Sequence, residues 1–400
     1  DPLLVVPRWL PNPPIGKTVV IGAGKASARM ALAFEQAWPH SLSGVVVTRY
    51  GHAEPCERIR ILEAGHPVPD EAGLMASAAI LDAVKGLTSD DLVVALISGG
   101  GSALLPSPPS GLTLEDEQAL NHALLHSGLA IGEMNLIRQH VSGIKGGRLA
   151  AAVGPARLVT LIISDVPGDD PAQVASGPTV PSAGARADAL AVIAKADLQL
   201  PSNVLAYLRS PEAEYGAPVN RGPREVHVIA TSALSLAAVA ERASTHFGLE
   251  THILTTTLEG EARTVGELLA RKVKAFQLSR TKEQRPLLLL AGGETTVTSS
   301  GPIGRGGRNT ELALSLAIGL DGVRGVVALC ADTDGIDGNN DAAGAFLDGL
   351  TVCRLRESGF ESSELLVNHD SGIGFSVLCD LLVLGPTGTN VSDVVLVLIG

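Results

Sequence analysis

Aromatic residues make up only 3% of the 400-residue chain and charged residues 18%, against 45% hydrophobic residues. The core must therefore be built from Ala, Val, Leu and Ile, and this apolar content excludes wholesale disorder. The four cysteines, Cys56, Cys330, Cys353 and Cys379, are widely spaced and form no CxxC pair. Reduced thiols are expected, not a disulfide framework or a zinc site. No apolar run reaches the ~18 residues of a membrane span. Residues 1–14 lack the basic-then-apolar order of a signal peptide. A cytoplasmic protein without a membrane partner is the expectation, and the missing initiator Met suggests a natural start further upstream. Basic residues are in deficit, 30 Lys and Arg against 42 Asp and Glu, for a formal net charge of −12. That balance argues against a nucleic-acid partner, while a local basic site for a small anion stays open.

Glycine and proline are plentiful, at 45 and 24 residues, and they punctuate a repeating pattern of apolar strands and Ala-rich helices. The length suggests two domains. A Pro- and Gly-rich stretch, 211–223, reads as the linker, which gives domains at 1–215 and 224–400. Strands alternating with helices throughout imply α/β layers with parallel strands. Ligand loops recur in both halves, so the expected site lies in a cleft between the domains.

The organising stretch runs from Ile163 to Thr179. An apolar strand, Leu158 to Ile163, breaks abruptly into Asp165, Asp169 and Asp170. Acids just past a buried strand fall where open α/β sheets bind ligands, although Asp, Gly and Pro also form ordinary turns. The first strand, Thr18 to Gly22, leads into Gly24, Lys25 and Ser27. Gly22 and Gly24 would let the chain turn tightly and leave helix amides free for an anion. Ser27 replaces the third glycine of a dinucleotide fingerprint, and no acid ends the next strand. Lys25 could then reach a phosphate or simply be solvated. A third strand, Asp91 to Ile97, ends in Ser98, Gly99, Gly100, Gly101 and Ser102, where consecutive glycines suit backbone amides approaching a phosphate. His52 and His66 are the histidines placed closest to such loops.

Asn135 to Ala150 reads as an amphipathic helix with Arg138, Lys145 and Arg148 as a basic stripe, interrupted by Gly143 and the Gly146-Gly147 pair. In the second half, a loop at Gly292, Gly293 and Glu294 and a glycine-framed pair, Arg305 and Arg308, precede a helix. A guanidinium beside free helix amides suits a carboxylate or phosphate. A further strand ends in Asp332, Asp334 and Asp337. This loop lacks the Glu of a calcium-binding loop and could hold Mg²⁺ through water or contact substrate hydroxyls.

Ten ordered motifs make the reading specific: GAGKA (Gly22 to Ala26), TRYGH (Thr48 to His52), EAGHPVPDE (Glu63 to Glu71), SGGGSALL (Ser98 to Leu105), SDVPGDD with SGPT (Ser164 to Thr179), GGETTV (Gly292 to Val297), GRGGRN (Gly304 to Asn309), TDGIDG (Thr333 to Gly338), DAAGA (Asp341 to Ala345) and GPTGTN (Gly385 to Asn390). Together they resemble the type 2 glycerate kinase family along the whole chain. The resemblance implies a Rossmann-like N-terminal domain and a C-terminal domain of MOFRL type. It implies phosphoryl transfer from ATP, with Mg²⁺, to D-glycerate, giving 2-phosphoglycerate. It also implies Lys25, Asp165 and Arg308 as the catalytic core.

Beyond that core, we assign ATP to Gly22, Gly24, Ser98, Gly99, Gly100, Gly101 and Ser102, with Gly292, Gly293 and Glu294 as further contacts. Glycerate falls to His52, Arg305, Asn309 and Asp334, and the metal to Asp169 and Asp170. Departures from the family pattern stand at Thr310 (usually Gln), at Ala230-Thr231-Ser232 (usually Gly-Asp-Asn) and at Ser371-Gly372 (usually Ser-Tyr). They bear on specificity more than on chemistry. The rival readings are an NAD(P)H-dependent hydroxypyruvate reductase, a name many relatives carry, and a non-catalytic sugar-acid sensor. A homodimer stays open.

Overall fold

The computed structural model describes residues 1–181, 184–213, 222–281, 284–298 and 304–400. The chain forms two compact units, Asp1–Ile229 and Ala230–Gly400. The stretch expected as a linker falls largely on 214–221, outside the described residues.

The first unit is built on strands β1 (Thr18–Ala23), β2 (Ser43–Arg49), β3 (Ile59–Ala64), β4 (Leu92–Ser98), β5 (Arg157–Ile163) and β6 (Arg224–Ala230). They form a six-stranded sheet in the order β3-β2-β1-β4-β5-β6. The pairs β1–β2, β1–β4, β2–β3 and β4–β5 are parallel. Every residue of β1 and β4 is buried, which is why both read as unbroken apolar runs and not as alternating ones. The chain lays β2 and β3 on one side of β1 and then returns to place β4 on the other. The loops leaving β1 and β4 therefore lie side by side at this switch in strand order, the place where such sheets open a ligand crevice. β6 closes the first sheet, although the sequence pattern suggested that it opens the second domain.

Two local features fix β1 against β4. Gly22, expected in the turn, lies within β1 opposite Leu96, and a Cβ there would strike the Leu96 carbonyl. Asp91, just before β4, accepts from the Lys17 amide at 2.7 Å, the Thr88 amide at 2.7 Å and the Thr88 hydroxyl at 3.0 Å. These bonds hold its carboxyl below the ordinary value of 3.8.

Beside this sheet, helical residues including Leu120, Leu124, Ile137, Ala189 and Leu208 form a separate apolar cluster. The expected basic helix is interrupted: one helix ends at His140 and the next begins at Arg148. Between them Gly146 and Gly147 adopt left-handed backbone (φ 61° and 83°). The stripe accordingly dissolves into separate inward contacts. Arg138 binds two asparagines, Lys145 pairs with Glu117 at 2.6 Å, and Arg148 donates to the carbonyls of Gln139 and Lys145.

The second unit carries β7 (Glu250–Glu261), β8 (Leu287–Thr296), β9 (Val326–Asp332), β10 (Gly344–Asp348), β11 (Leu381–Leu382) and β12 (Asp393–Ile399). Their order is β11-β10-β9-β12-β8-β7. Parallel strands were expected here too, but the sheet is mixed. β7–β8 is parallel, whereas β12 runs antiparallel to both β8 and β9, and β10 antiparallel to β9 and β11. The connection from β9 to β10 spans only 333–343 and contains no crossover helix, so a parallel return is not available to it. Because β12 is inserted antiparallel, its first residue, Asp393, lies opposite Gly293 of β8 and Asp332 of β9. β8 also runs on through Gly292 and Gly293, where a loop was expected. A Cβ at Gly293 would meet the backbone of Leu258 in β7, and one at Gly292 would press on Ser232. The Ala262–Leu278 and Arg308–Gly319 helices pack on one side of this sheet's core.

Two outcomes are expected. Gly22→Ala should destabilise the first unit by about 1–3 kcal/mol through overpacking, read as a lowered midpoint in urea unfolding. Asp91, with its pKa depressed in the fold, contributes stability above its ordinary value that is lost as pH falls through the folded one. Asp91→Asn should therefore lower stability at pH 7 and weaken the remaining pH dependence below pH ~4, followed by urea midpoints against pH.

Candidate functional site

At the switch between β1 and β4 the two loops are tied together by backbone. The Lys25 amide donates to the Gly99 carbonyl at 2.9 Å, and Gly24, at φ 142°, lies so close to Ser98 that no side chain would fit. Gly100 is left-handed (φ 80°) and precedes a single helical turn, Gly101–Leu104. First-turn amides have no partner within their own helix. The loop is thus a compact curve of backbone that carries no side chain of its own from Gly99 to Gly101.

Three side chains border it. A Cβ at Gly99 would collide with the Asp165 carboxylate, and one at Gly100 would lie 3.0 Å from His66 Nε2 and 3.1 Å from Lys25 Cγ. Lys25, His66 and Asp165 are therefore gathered around the glycine turn. His52, the histidine assigned to substrate, is buried in the turn that ends β2.

Ser98, assigned to the cofactor, has another task. Its buried Oγ accepts from the Ala26 amide at 3.0 Å and lies 3.1 Å from Ser27 Oγ. It thus ties the start of the Ser27–Ala37 helix and takes up an amide that the sequence reading left free for an anion.

Asp169 and Asp170 follow in a short turn in which Asp169 adopts φ 55°. Asp170 is exposed and accepts from the Ala172 amide at 3.0 Å. Among the described residues no group of three or more His, Cys, Asp or Glu forms a ready cage for a metal ion. Oxygen donors on one loop instead suit a hard cation that keeps most of its waters and is carried in part by phosphate, the usual binding mode of Mg²⁺.

The second unit gathers charge around Arg308. Its Nε meets Asp393 at 2.9 Å, its Nη2 meets Asp332 at 2.6 Å and its Nη1 meets Glu294 at 3.0 Å. β8, β9 and β12 supply one carboxylate each at their shared edge. Burial works against the guanidinium charge, but Asp393, Glu294 and Asp332 hold it protonated well above its ordinary value. Burial pushes the Asp393 carboxyl up, against the pull of Arg308 and Asn309.

The helix amides beside Arg308 are not free, as had been expected. Asp337 accepts from the amides of Asn309 at 2.9 Å and Thr310 at 2.8 Å, and burial raises its pKa. The chain's own carboxylate occupies that anion position. Asn309, assigned to substrate, is fully buried and donates to Asp393 at 2.8 Å. Asp334 is also buried, with Oδ1 accepting from the Ile336 amide. Arg305 is exposed, 3.7 Å from Asp341.

Two departures find a place here. The Thr310 hydroxyl lies 2.9 Å from Asp337 Oδ2 and 3.0 Å from Ser371 Oγ, and the Gly372 amide donates to the Arg305 carbonyl at 2.9 Å. Sequence reasoning missed Asp393, which sits in an apolar strand with no motif of its own. It also overlooked the helix residues behind Ser102, whose spacing carries no signature.

The family described as "Domain of unknown function (DUF4147)" matches residues 6–209, and the MOFRL family matches residues 287–393. An Agrobacterium vitis protein with a provisional hydroxypyruvate reductase name is 50% identical over 100% of this chain and 91% of its own length. The D-glycerate 2-kinase of Thermotoga maritima is 40% identical, covering 98% of this chain and 93% of its own. The crystal structure of a glycerate kinase from Thermotoga maritima superposes with a TM-score of 0.86 at 39% identity, covering 100% of this chain and 95% of the other. No helix among the described residues is long and apolar enough to cross a membrane. With both domains matched in order and the relatives aligned almost end to end, the chain belongs to the type 2 glycerate kinase family of enzymes.

Proposed function

We propose that the protein transfers the γ-phosphoryl group of ATP to the 2-hydroxyl of D-glycerate, giving 2-phosphoglycerate. The observation that carries this reading is the convergence of a glycine turn, Lys25 and Asp165 at the strand-order switch of the first sheet, in a chain whose relatives include glycerate kinases.

In phosphoryl transfer the protein mainly positions the partners and offsets charge on the transferring group. The backbone of Gly99 to Ser102 would hold phosphate oxygens, with the Lys25 ammonium beside them. Asp165 would orient the attacking hydroxyl and take its proton. Mg²⁺, held by phosphate and by Asp169 or Asp170, would supply further charge neutralisation. Arg308 would stabilise transition-state charge from the second domain. Glu294 is the most exposed of its three carboxylate partners, at 43% against 3% for Asp332 and 2% for Asp393. Nη1 is therefore the edge of Arg308 that can exchange Glu294 for an incoming oxygen at least desolvation cost.

The reductase reading is weakened by Ser98. A dinucleotide places its pyrophosphate on the helix that follows β1, and the Ala26 amide at that helix start is already bound to Ser98 Oγ.

Purified protein should form ADP and 2-phosphoglycerate from D-glycerate and Mg-ATP, and should not oxidise NAD(P)H with hydroxypyruvate. Nicotinamide oxidation without ADP would reverse the assignment. Lys25→Ala should lower kcat by roughly 10²–10³ with the fold intact, the loss seen on removing a charge-stabilising donor. Arg308→Ala is a poorer single test. It leaves two buried carboxylates uncompensated, a change that costs about 3–5 kcal/mol of stability by itself.

A further inference from the structure

The side chain of Ser102 stands at the end of the glycine turn, and its proton can be located. Behind it runs a buried chain of hydrogen bonds. Asn135 donates through Nδ2 to the Gln173 carbonyl at 3.0 Å, which fixes the amide so that Oδ1 faces the other way. Arg138, a donor only, gives Nη1–H to that Oδ1 at 3.2 Å. Ser176, fully buried, gives its hydroxyl proton to the same Oδ1 at 2.9 Å. Ser176 Oγ lies 2.7 Å from Ser102 Oγ, a separation that requires a proton between them. The proton of Ser176 is already committed to Asn135, so the shared one belongs to Ser102. Ser102 therefore points its hydrogen inward, and Ser176 is its one hydrogen-bond partner among the described residues.

The relay is held rigidly. Ala175, Ser176 and Gly177 adopt successive left-handed conformations (φ 54°, 59° and 60°). For the first two this is strained backbone that must be held by its surroundings. Gln139 Nε2 and the Gly146 amide bind the Ser176 carbonyl at 3.1 and 3.0 Å, and the Gly147 amide binds that of Gly177 at 2.7 Å. The Ala175 methyl packs where a side chain on Gly101 would be. The cavity between Ser102, Asn121, Arg138 and Lys145 is about 10 Å³, room for one water at most. It is too small for a substrate carboxylate, and the Arg138 guanidinium beside it is engaged by Asn121 through Nε and Nη2 and by Asn135 through Nη1.

From this we propose that Ser102 Oγ presents only lone pairs to the site and accepts a hydrogen bond from a hydroxyl of the acceptor acid that is not phosphorylated. For glycerate this is the 3-hydroxyl. Ser102 would thus be a specificity residue for dihydroxy over monohydroxy acids, and Ser176, Asn135 and Arg138 its positioning residues. A hydroxyl with its proton turned inward cannot donate to phosphate, which leaves phosphate binding to the backbone of this turn. The inference rests on the kinase reading above.

The test compares kcat/KM for glycerate with that for lactate of the same handedness, which lacks the 3-hydroxyl, in wild type, Ser102→Ala and Ser176→Ala. Lactate is read as a substrate or, if turnover is too slow, through its inhibition constant against glycerate. The preference for glycerate should fall about tenfold in Ser102→Ala, the worth of one net hydrogen bond at the upper end of its range. It should fall less in Ser176→Ala, which keeps the hydroxyl but frees its proton. General damage to the fold lowers both terms and leaves the ratio unmoved. An unchanged preference in Ser102→Ala overturns the proposal. So does an equal loss on both acids with a raised Mg²⁺ requirement, which would put Ser102 on the metal or phosphate side. Failure of the wild type to form ADP with either acid overturns the kinase reading itself, and this inference with it.

Discussion

The 2.9 Å hydrogen bond from the Lys25 amide to the Gly99 carbonyl joins two distant parts of the chain. It fastens the loop leaving β1 to the loop leaving β4, the two strands between which the sheet reverses its order of growth. Such a bond forms only if both backbones approach closely, and that condition propagates outward. Position 22 must lack a side chain because the Leu96 carbonyl lies against it, position 24 because Ser98 does, and position 99 because Asp165 does. Asp91 holds the other end of the same strand pair by binding the amides of Lys17 and Thr88. The glycines of this region therefore serve close packing first. Gly100 and Gly101 are hemmed in the same way, the first by His66 and Lys25 and the second by Ala175.

The second unit solves a different problem, the burial of charge. One guanidinium faces Asp393, Asp332 and Glu294, with Asp337 close behind on the helix amides. A cation at a helix N-terminus opposes the helix dipole, and this one is placed there by neighbouring carboxylates. The three carboxylates keep Arg308 protonated, while burial, with a smaller contribution from the neighbouring acids, raises the cost of ionising Asp393 and Asp337. Orientation is the gain. The two buried acids fix the plane of the guanidinium, and the more exposed Glu294 marks its exchangeable edge.

Much of this was legible in the sequence. The buried strands stood out as apolar runs, and their glycine or acidic endings marked the strand ends at Ser98, Ile163 and Asp332. What could not be read depended on contacts distant along the chain. Gly292 and Gly293 looked like a loop because glycine weakens a strand, yet β7 and Ser232 approach closely enough to require them. Asp393 is one acid before an apolar strand, and only the antiparallel insertion of β12 between β8 and β9 brings it to Arg308. The basic stripe of Arg138, Lys145 and Arg148 followed helical spacing, but the helix ends at His140 and each side chain finds its own partner. The direction of the Ser102 hydroxyl follows from Asn135 and Ser176, which no motif joins.

The central claim is that the glycine turn after β4, with Lys25 beside it, holds the nucleotide phosphates. Amide hydrogen exchange with and without Mg-ADP tests it most directly. Slowed exchange is expected in peptides covering 22–27 and 98–105, with little change in the same peptides when NADH is added instead. Protection by NADH at 22–27, or Mg-ADP protection confined to the second unit, would contradict it.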